Sequence, residues 1–165
     1  MRPKADICGD ADFALELKPA GCKTGSMNDS DEPTFDASER AILDRIDRRL
    51  HAQGRAKHAT TVRLLWRWRS LSASMDRYSG WIDDYTNHLT RRDGLAVVLG
   101  ECDEPLRAKL AILIEQADGE FLASTRDDTR SVLGRYFQID ESSGWWWKRI
   151  PAAGPLAEYL NSSEA

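Results

Sequence analysis

The stretch WIDDYTNHL, residues 81–89, carries the first set of side chains with the types and spacing for chemistry. Asp84 and His88 stand four residues apart. On a helix that spacing sends both side chains to one face, as two ligands of a metal ion would be. A catalytic metal needs at least a third ligand, and no second paired motif such as E-x-x-H accompanies them. Without a metal, Asp83 or Asp84 pairs with Arg77 or Arg91, and His88 is an ordinary polar-face residue. No metal and no cofactor is therefore expected. A metal-dependent enzyme around Asp84 and His88 ranks third among the functional readings.

A second set is basic. Residues 40–70 hold 9 basic and 2 acidic groups, a net of +7, between an acidic segment of −5 (residues 1–39) and another of −6 (residues 71–165). Within the block, Arg45, Arg48 and Arg49 are followed by Arg55, Lys57, Arg63, Arg67 and Arg69, and Trp66 and Trp68 alternate with arginines in LLWRWRS. Guanidinium groups meet phosphates in a planar, bidentate way, and exposed aromatic rings stack on bases. The expected patch is Arg45, Arg49, Arg63 and Arg67. Nucleic-acid binding through it ranks second, because the chain as a whole carries −4 and dedicated nucleic-acid domains are strongly basic. A solvated helix face, open to water or covered by the acidic leader of the same chain or by an acidic protein partner, ranks above it.

The third set is GWWWKRIP, residues 144–151, where three of the six tryptophans stand in a row. With RYFQID before it and the polar, Gly-ended ESSG between, the pattern predicts a β-hairpin. A four-residue loop at 141–144 sets Asp140 opposite Trp145 and Tyr136 opposite Arg149. Alternation then gives a core face of Phe137, Ile139, Trp146 and Ile150. The opposite face carries Tyr136, Trp145, Trp147 and Arg149, residue types that dominate protein interfaces. Either this face meets a partner, or its indoles seal the end of a helical bundle.

Other chemistry finds little support. There is no G-x-S-x-G elbow and no Gly-rich phosphate loop. Cys8, Cys22 and Cys102 make an odd count without a C-x-x-C pair, which predicts a reducing cytoplasm and no disulfide framework. Asp103 and Glu104 adjoin Cys102 and would hold its thiol protonated. Apolar runs such as LAVVL (95–99) and LAILI (110–114) are far shorter than the ~20 residues of a membrane helix, and no signal peptide is seen. The first-ranked function is thus a non-enzymatic cytoplasmic protein-binding module: a regulator, adaptor or inhibitor that uses its basic helix face, its aromatic C-terminal face, or both. Its partner and oligomeric state are unknown.

The elements that must position these residues read as mainly α. With 41% hydrophobic residues, 165 residues suffice for one domain with a buried core. Residues 1–35 form a disordered acidic leader, 36–160 a single helical domain, and 161–165 a tail. Met27, just ahead of the acidic cap, is an alternative translation start. A first helix begins near Asp36 or Ser38, with Asp36 and Glu39 as a capping box. It buries Ile42, Leu43, Ile46 and Leu50 and stops near Gly54. A seam of Thr61, Leu64, Trp68, Leu71, Met75, Tyr78, Ile82, Tyr85 and Leu89 then repeats at steps of three and four. It predicts one long helix, or two collinear ones kinked at Ser79-Gly80. Its aromatic content favours a small antiparallel bundle over a two-stranded coiled coil.

Beyond a polar break at TRRDG (90–94), the pattern predicts a short helix over 95–101. A longer one starts at Asp103 and Pro105, burying Leu106, Leu110, Leu113 or Ile114, Ala117 and Phe121. Gly119 breaks it, or it runs on to about Thr125. A turn at 127–130, a short helix at 131–135 and a closing helix at 155–160 complete the chain.

Overall fold

Local sequence starts the fold as its composition dictates. Asp36 accepts hydrogen bonds from the backbone N–H groups of Ser38 and Glu39, while the Glu39 carboxylate accepts from the Asp36 N–H at 2.8 Å. This capping box opens α1 (Ala37–Ala52), which buries Leu43, Ile46 and Leu50. The computed structural model describes residues 34–162. The expectations for residues 1–33, an unfolded leader and a start at Met27, lie outside the described residues, as do Ser163–Ala165. Phe35, assigned to the leader on sequence, is buried under Lys109 and belongs to the ordered core.

The long seam divides in two. Helix α2 (Thr61–Ser72) ends ahead of a 3₁₀ turn at Met75–Arg77, and α3 (Ile82–Glu101) starts after Trp81. The two helices are neighbours rather than collinear segments. Leu64 meets Gly94 while Tyr78 packs on Tyr85 and His88, so α3 runs back along α2. Thr61, Leu64, Trp68, Leu71, Met75, Tyr85 and Leu89 are all buried, with Tyr78 and Ile82 partly so. A periodic stripe persists through a chain reversal because both helices face the same core.

Residues 90–94, read as a polar break, lie inside α3, which continues through the segment predicted as a separate short helix. Helix α4 (Leu106–Ser124) runs past Gly119 and buries Leu106, Leu110, Ile114, Ala117 and Phe121. Helix α2 packs along both α3 and α4, with the Trp68 ring 4.8 Å from that of Phe121. At the start of α2 the buried Asp47 carboxylate of α1 accepts from both the backbone N–H and the hydroxyl of Thr61, the latter at 2.7 Å. An anion there satisfies helix-end donors that otherwise lack partners.

The fold is thus a mainly α bundle with a short antiparallel two-stranded sheet near the C-terminus. The sheet differs from the expected hairpin in its partner strand. β1 (Thr125–Asp127) pairs with β2 (Arg149–Pro151) in the register Thr125↔Pro151, Arg126↔Ile150 and Asp127↔Arg149. Residues 136–140 form no strand, and Trp145–Lys148 coil into a 3₁₀ turn. A second 3₁₀ turn spans Leu133–Arg135, and α5 (Pro155–Ser162) closes the chain. None of the described helices is long and apolar enough to cross a membrane.

Candidate anion-binding cleft

Two of the four expected basic-patch residues, Arg63 and Arg67, stand one helical turn apart on α2 and line a cleft of about 540 Å³. Opposite them, α3 contributes Asn87, Thr90, Arg91 and Gly94, whose spacing of three, four and seven places them on one helix face. The loop between α1 and α2 supplies Arg55, His58 and Ala59, and Leu64 adds an apolar wall. Four arginines therefore share a concavity whose lining includes no carboxylate. Gly94 sets the width of the cleft. A Cβ there would stand 2.9 Å from Leu64 Cδ1, so a side chain would force Leu64 aside. Its carbonyl accepts from Arg55 Nη2 at 3.2 Å and ties the loop to α3.

The electrostatics of the cleft are unfavourable in the absence of an anion. Burial, then the neighbouring Arg67, holds the Arg91 pKa below its ordinary value, and burial does the same to Arg55. Both remain charged at neutral pH, since a guanidinium cannot lose its proton under these conditions. Arg55 also has its Nη1 buried with no hydrogen-bond partner. Asp47 opposes part of the shift at Arg55, and Asp84 part of that at His88, but the hydrogen bonds of both carboxylates go to other groups. Asp47 is held by Thr61, and Asp84 accepts the Trp81 backbone N–H at 3.3 Å.

The Asp84–His88 pair is thereby accounted for. Asp84 caps α3, and the His88 ring lies edge-on to Tyr78 with its Nδ1 2.6 Å from Arg91 Nη1. Burial, then Arg91, and to a smaller degree Arg67, push the His88 pKa down to about 4 against the opposing pull of Asp84. His88 is consequently neutral at physiological pH, and its Nδ1 accepts the Arg91 proton. Arg91 does not pair with Asp83 or Asp84, as one sequence expectation had it. Burial, with a smaller contribution from Asp84, raises the Tyr78 hydroxyl to about 12, and its oxygen is buried without a partner. No group of three or more His, Cys, Asp or Glu among the described residues is placed to hold a metal ion.

The other two expected patch residues go elsewhere. Arg45 and Arg49 line a separate groove with Ile42, Ile46, Glu101 and Asp103, and Arg49 forms an ion pair with Glu101. The linear block of positive charge is split between two surfaces, and only its second half joins the cleft. Trp66 is exposed on α2 between Arg63 and Arg67, whereas Trp68 is fully buried.

The C-terminal aromatic face is largely committed to the interior. Trp146 is buried, as its alternation predicted, and its Nε1 donates to Asp93 at 2.9 Å. Trp147 is half-buried, and its Nε1 donates to both oxygens of the same carboxylate at 3.0 Å. Arg149 spends its donors on the Thr125 hydroxyl and carbonyl, the Leu122 carbonyl and Asp127. Trp145 packs against Phe121 and Trp146 with 36% of its surface exposed, and Tyr136 is 51% exposed. Of the four residues expected to meet a partner, only these last two offer much free surface.

Sequence reading missed the polar hub behind this segment. Arg92 donates to both oxygens of Asp118, with Nε and Nη2 each at 2.9 Å, and its guanidinium lies 4.4 Å from the Trp146 ring centroid. Trp68 Nε1 donates to the same Asp118 at 2.8 Å. Arg92 and Asp118 are both buried. Arg91, Asn87, Thr90 and Gly94 were also missed as cleft residues. Their shared helix face was the available signal, hidden once TRRDG was taken for a break. The chain matches no protein-family model, no curated protein and no solved structure.

Proposed function

We propose that this protein is a non-enzymatic cytoplasmic binding module, a regulator or adaptor that grips an acidic group on a protein partner in the cleft between α2 and α3. The observation that carries this reading is the convergence of Arg55, Arg63, Arg67 and Arg91 on one concavity with no carboxylate in its lining, in a chain whose net charge is −4. Positive charge gathered against the overall sign marks a local complement to a negative ligand. The lining offers cations, an amide and a hydroxyl, which suits recognition. Trp145 and Tyr136 supply exposed aromatic area for a secondary contact. The cytoplasmic assignment rests on cysteine usage. Cys102 is a buried free thiol whose pKa is raised by burial and by Asp103.

One observation favours nucleic acid instead: the exposed Trp66 stands between two cleft arginines, as a base-stacking side chain would. A pull-down of tagged protein from its native host, divided into nuclease-treated and untreated halves, separates the two readings. A stoichiometric protein that survives nuclease and is lost in an Arg67→Gln, Arg91→Gln variant is the expected result. Recovery of nucleic acid alone, abolished by nuclease, would overturn the proposal in favour of the second reading.

A further inference from the structure

Donors reach the cleft from three separate parts of the fold: Arg55 from the α1–α2 loop, Arg63 and Arg67 from α2, and Asn87, Thr90 and Arg91 from α3. A planar carboxylate presents two oxygens in one plane and a single charge. A phosphomonoester presents three oxygens in tetrahedral directions and a charge between −1.5 and −2 near neutral pH. Donors converging from several sides match the second geometry. Arg67 from α2 and Arg91 from α3 both line the cleft, and two guanidinium groups on one concavity suit a ligand carrying more than one negative charge.

From this geometry we infer that the acidic group taken by the cleft is a phosphomonoester, presented by the partner as a phosphorylated serine or threonine side chain. The inference rests on the reading of the cleft as the partner contact. Two of the four guanidinium groups are held in place before any ligand arrives, Arg91 by the His88 ring nitrogen and Arg55 by the Gly94 carbonyl. The buried Arg55 Nη1 has no acceptor among the described residues, so this guanidinium is not fully satisfied by the fold. Ala59 and Leu64 give the lining an apolar part, suited to the short alkyl stem that carries the phosphate.

The space, about 540 Å³, is in the usual range for a site that encloses a compact group. A phosphodiester polymer would need a basic track extending beyond the cleft. Arg45 and Arg49 do not extend one, since they lie in their own groove with Glu101 and Asp103.

The test uses the full chain and four probes in fluorescence anisotropy: a degenerate phosphoserine peptide pool, the same pool unphosphorylated, inorganic phosphate, and a duplex oligonucleotide at matched phosphate concentration. The phosphorylated pool should bind at least ~10-fold more tightly than the plain one, and inorganic phosphate should compete. Arg67→Gln and Arg91→Gln should each weaken binding by ~10-fold or more, while Arg45→Gln leaves it unchanged. Arg67→Lys keeps the charge and loses the fork, so it should fall between wild type and Arg67→Gln. Circular dichroism and melting verify that each variant is folded.

Equal binding of the two pools, still dependent on Arg67, would overturn the phosphate assignment and leave the cleft as an acidic-partner site. Tight phosphate binding with no added affinity for the peptide would overturn the partner as its source. An oligonucleotide that outcompetes phosphate by far would overturn the phosphomonoester in favour of a polymer. Binding indifferent to both Arg67 and Arg91 would sink the inference and the proposed function together.

Discussion

Arg92 meets Asp118 through three hydrogen bonds and covers the Trp146 ring, whereas Arg91, one residue earlier on the same helix, meets a neutral imidazole and a second guanidinium. One rotation of about 100° along α3 separates a charge paired with a carboxylate from a charge that lines the cleft. On the core side Arg92, Trp68, Trp146 and Trp147 all donate to a carboxylate. On the cleft side four arginines share a lining that includes no carboxylate, and the pKa values of Arg91 and His88 are both driven down. A protein tolerates such local imbalance where it serves binding, and satisfies its polar groups elsewhere.

The same substitution at the two positions gives the widest contrast. Arg92→Ala should destabilise by ~3–5 kcal/mol, because it leaves the Asp118 carboxylate buried without its cation. Urea unfolding measures this, and a cost under ~1 kcal/mol would place the Arg92 pair outside the fold's essential interactions. Trp146→Ala, which empties a buried site beneath Arg92, should cost ~3–5 kcal/mol. The half-buried Trp147, tied mainly by its Nε1 bonds to Asp93, should cost ~1–2 kcal/mol when cut to Ala. Reversal of that order would mean that the carboxylate bond outweighs indole burial in this segment.

Arg91→Ala should change stability by less than ~0.5 kcal/mol while removing anion binding. A large loss of stability there would erase the distinction between the two sides of α3.

The smallest effect concerns pH. The folded His88 pKa of about 4 is below the unfolded value near ~6.5, so folding favours the neutral ring. Its contribution is complete above the unfolded pKa and is lost as pH falls through about 4. Arg91, Arg67, Asp84 and Tyr78 are the charged or titratable groups around it. The ring is half-exposed, and solvent screening keeps the effect modest. Titration of the His88 ring by NMR should show protonation near pH 4, and an anion in the cleft should move it upward. A midpoint near the ordinary histidine value would remove His88 as the neutral acceptor that orients Arg91.

Legibility in the sequence followed the range of the interactions. The capping box of Asp36 and Glu39 spans three residues, and the stripe of Leu43, Ile46 and Leu50 needs only helical period, so both were read directly. Trp146 was read as buried because a polar, Gly-ended loop fixed the phase of alternation, although the segment is a 3₁₀ turn. Its strand partner was misassigned because aromatic and β-branched content announces a strand and says nothing of its mate. β2 pairs with 125–127, some two dozen residues upstream, and skips the nearer 136–140.

TRRDG reads as a break because Arg92 and Asp93 are polar. Their acceptors and donors lie at 118, 146 and 147, beyond any local window. The cleft was half-legible for the same reason. Arg63 and Arg67 belong to a visible block, but the residues that complete their surroundings come from another helix, while Arg45 and Arg49 leave the block for Glu101 and Asp103.

The middle of α3 carries, in consecutive order, a cleft arginine, a core arginine and the aspartate that binds two indoles. This makes the helix intolerant of length change. One residue inserted between Asn87 and Arg91, with the rest of α3 held in place, would rotate Asn87 about 100° away from the cleft. The opposite accommodation, with the first half held, would turn Arg91 into the core position of Arg92 and carry Asp93 away from Trp146 and Trp147 to the place of Gly94 in the cleft. Either way one of the two jobs is lost at a stroke. A substitution on the cleft face changes one side chain, whereas an insertion or deletion in this helix shifts the cleft face and the core face against each other.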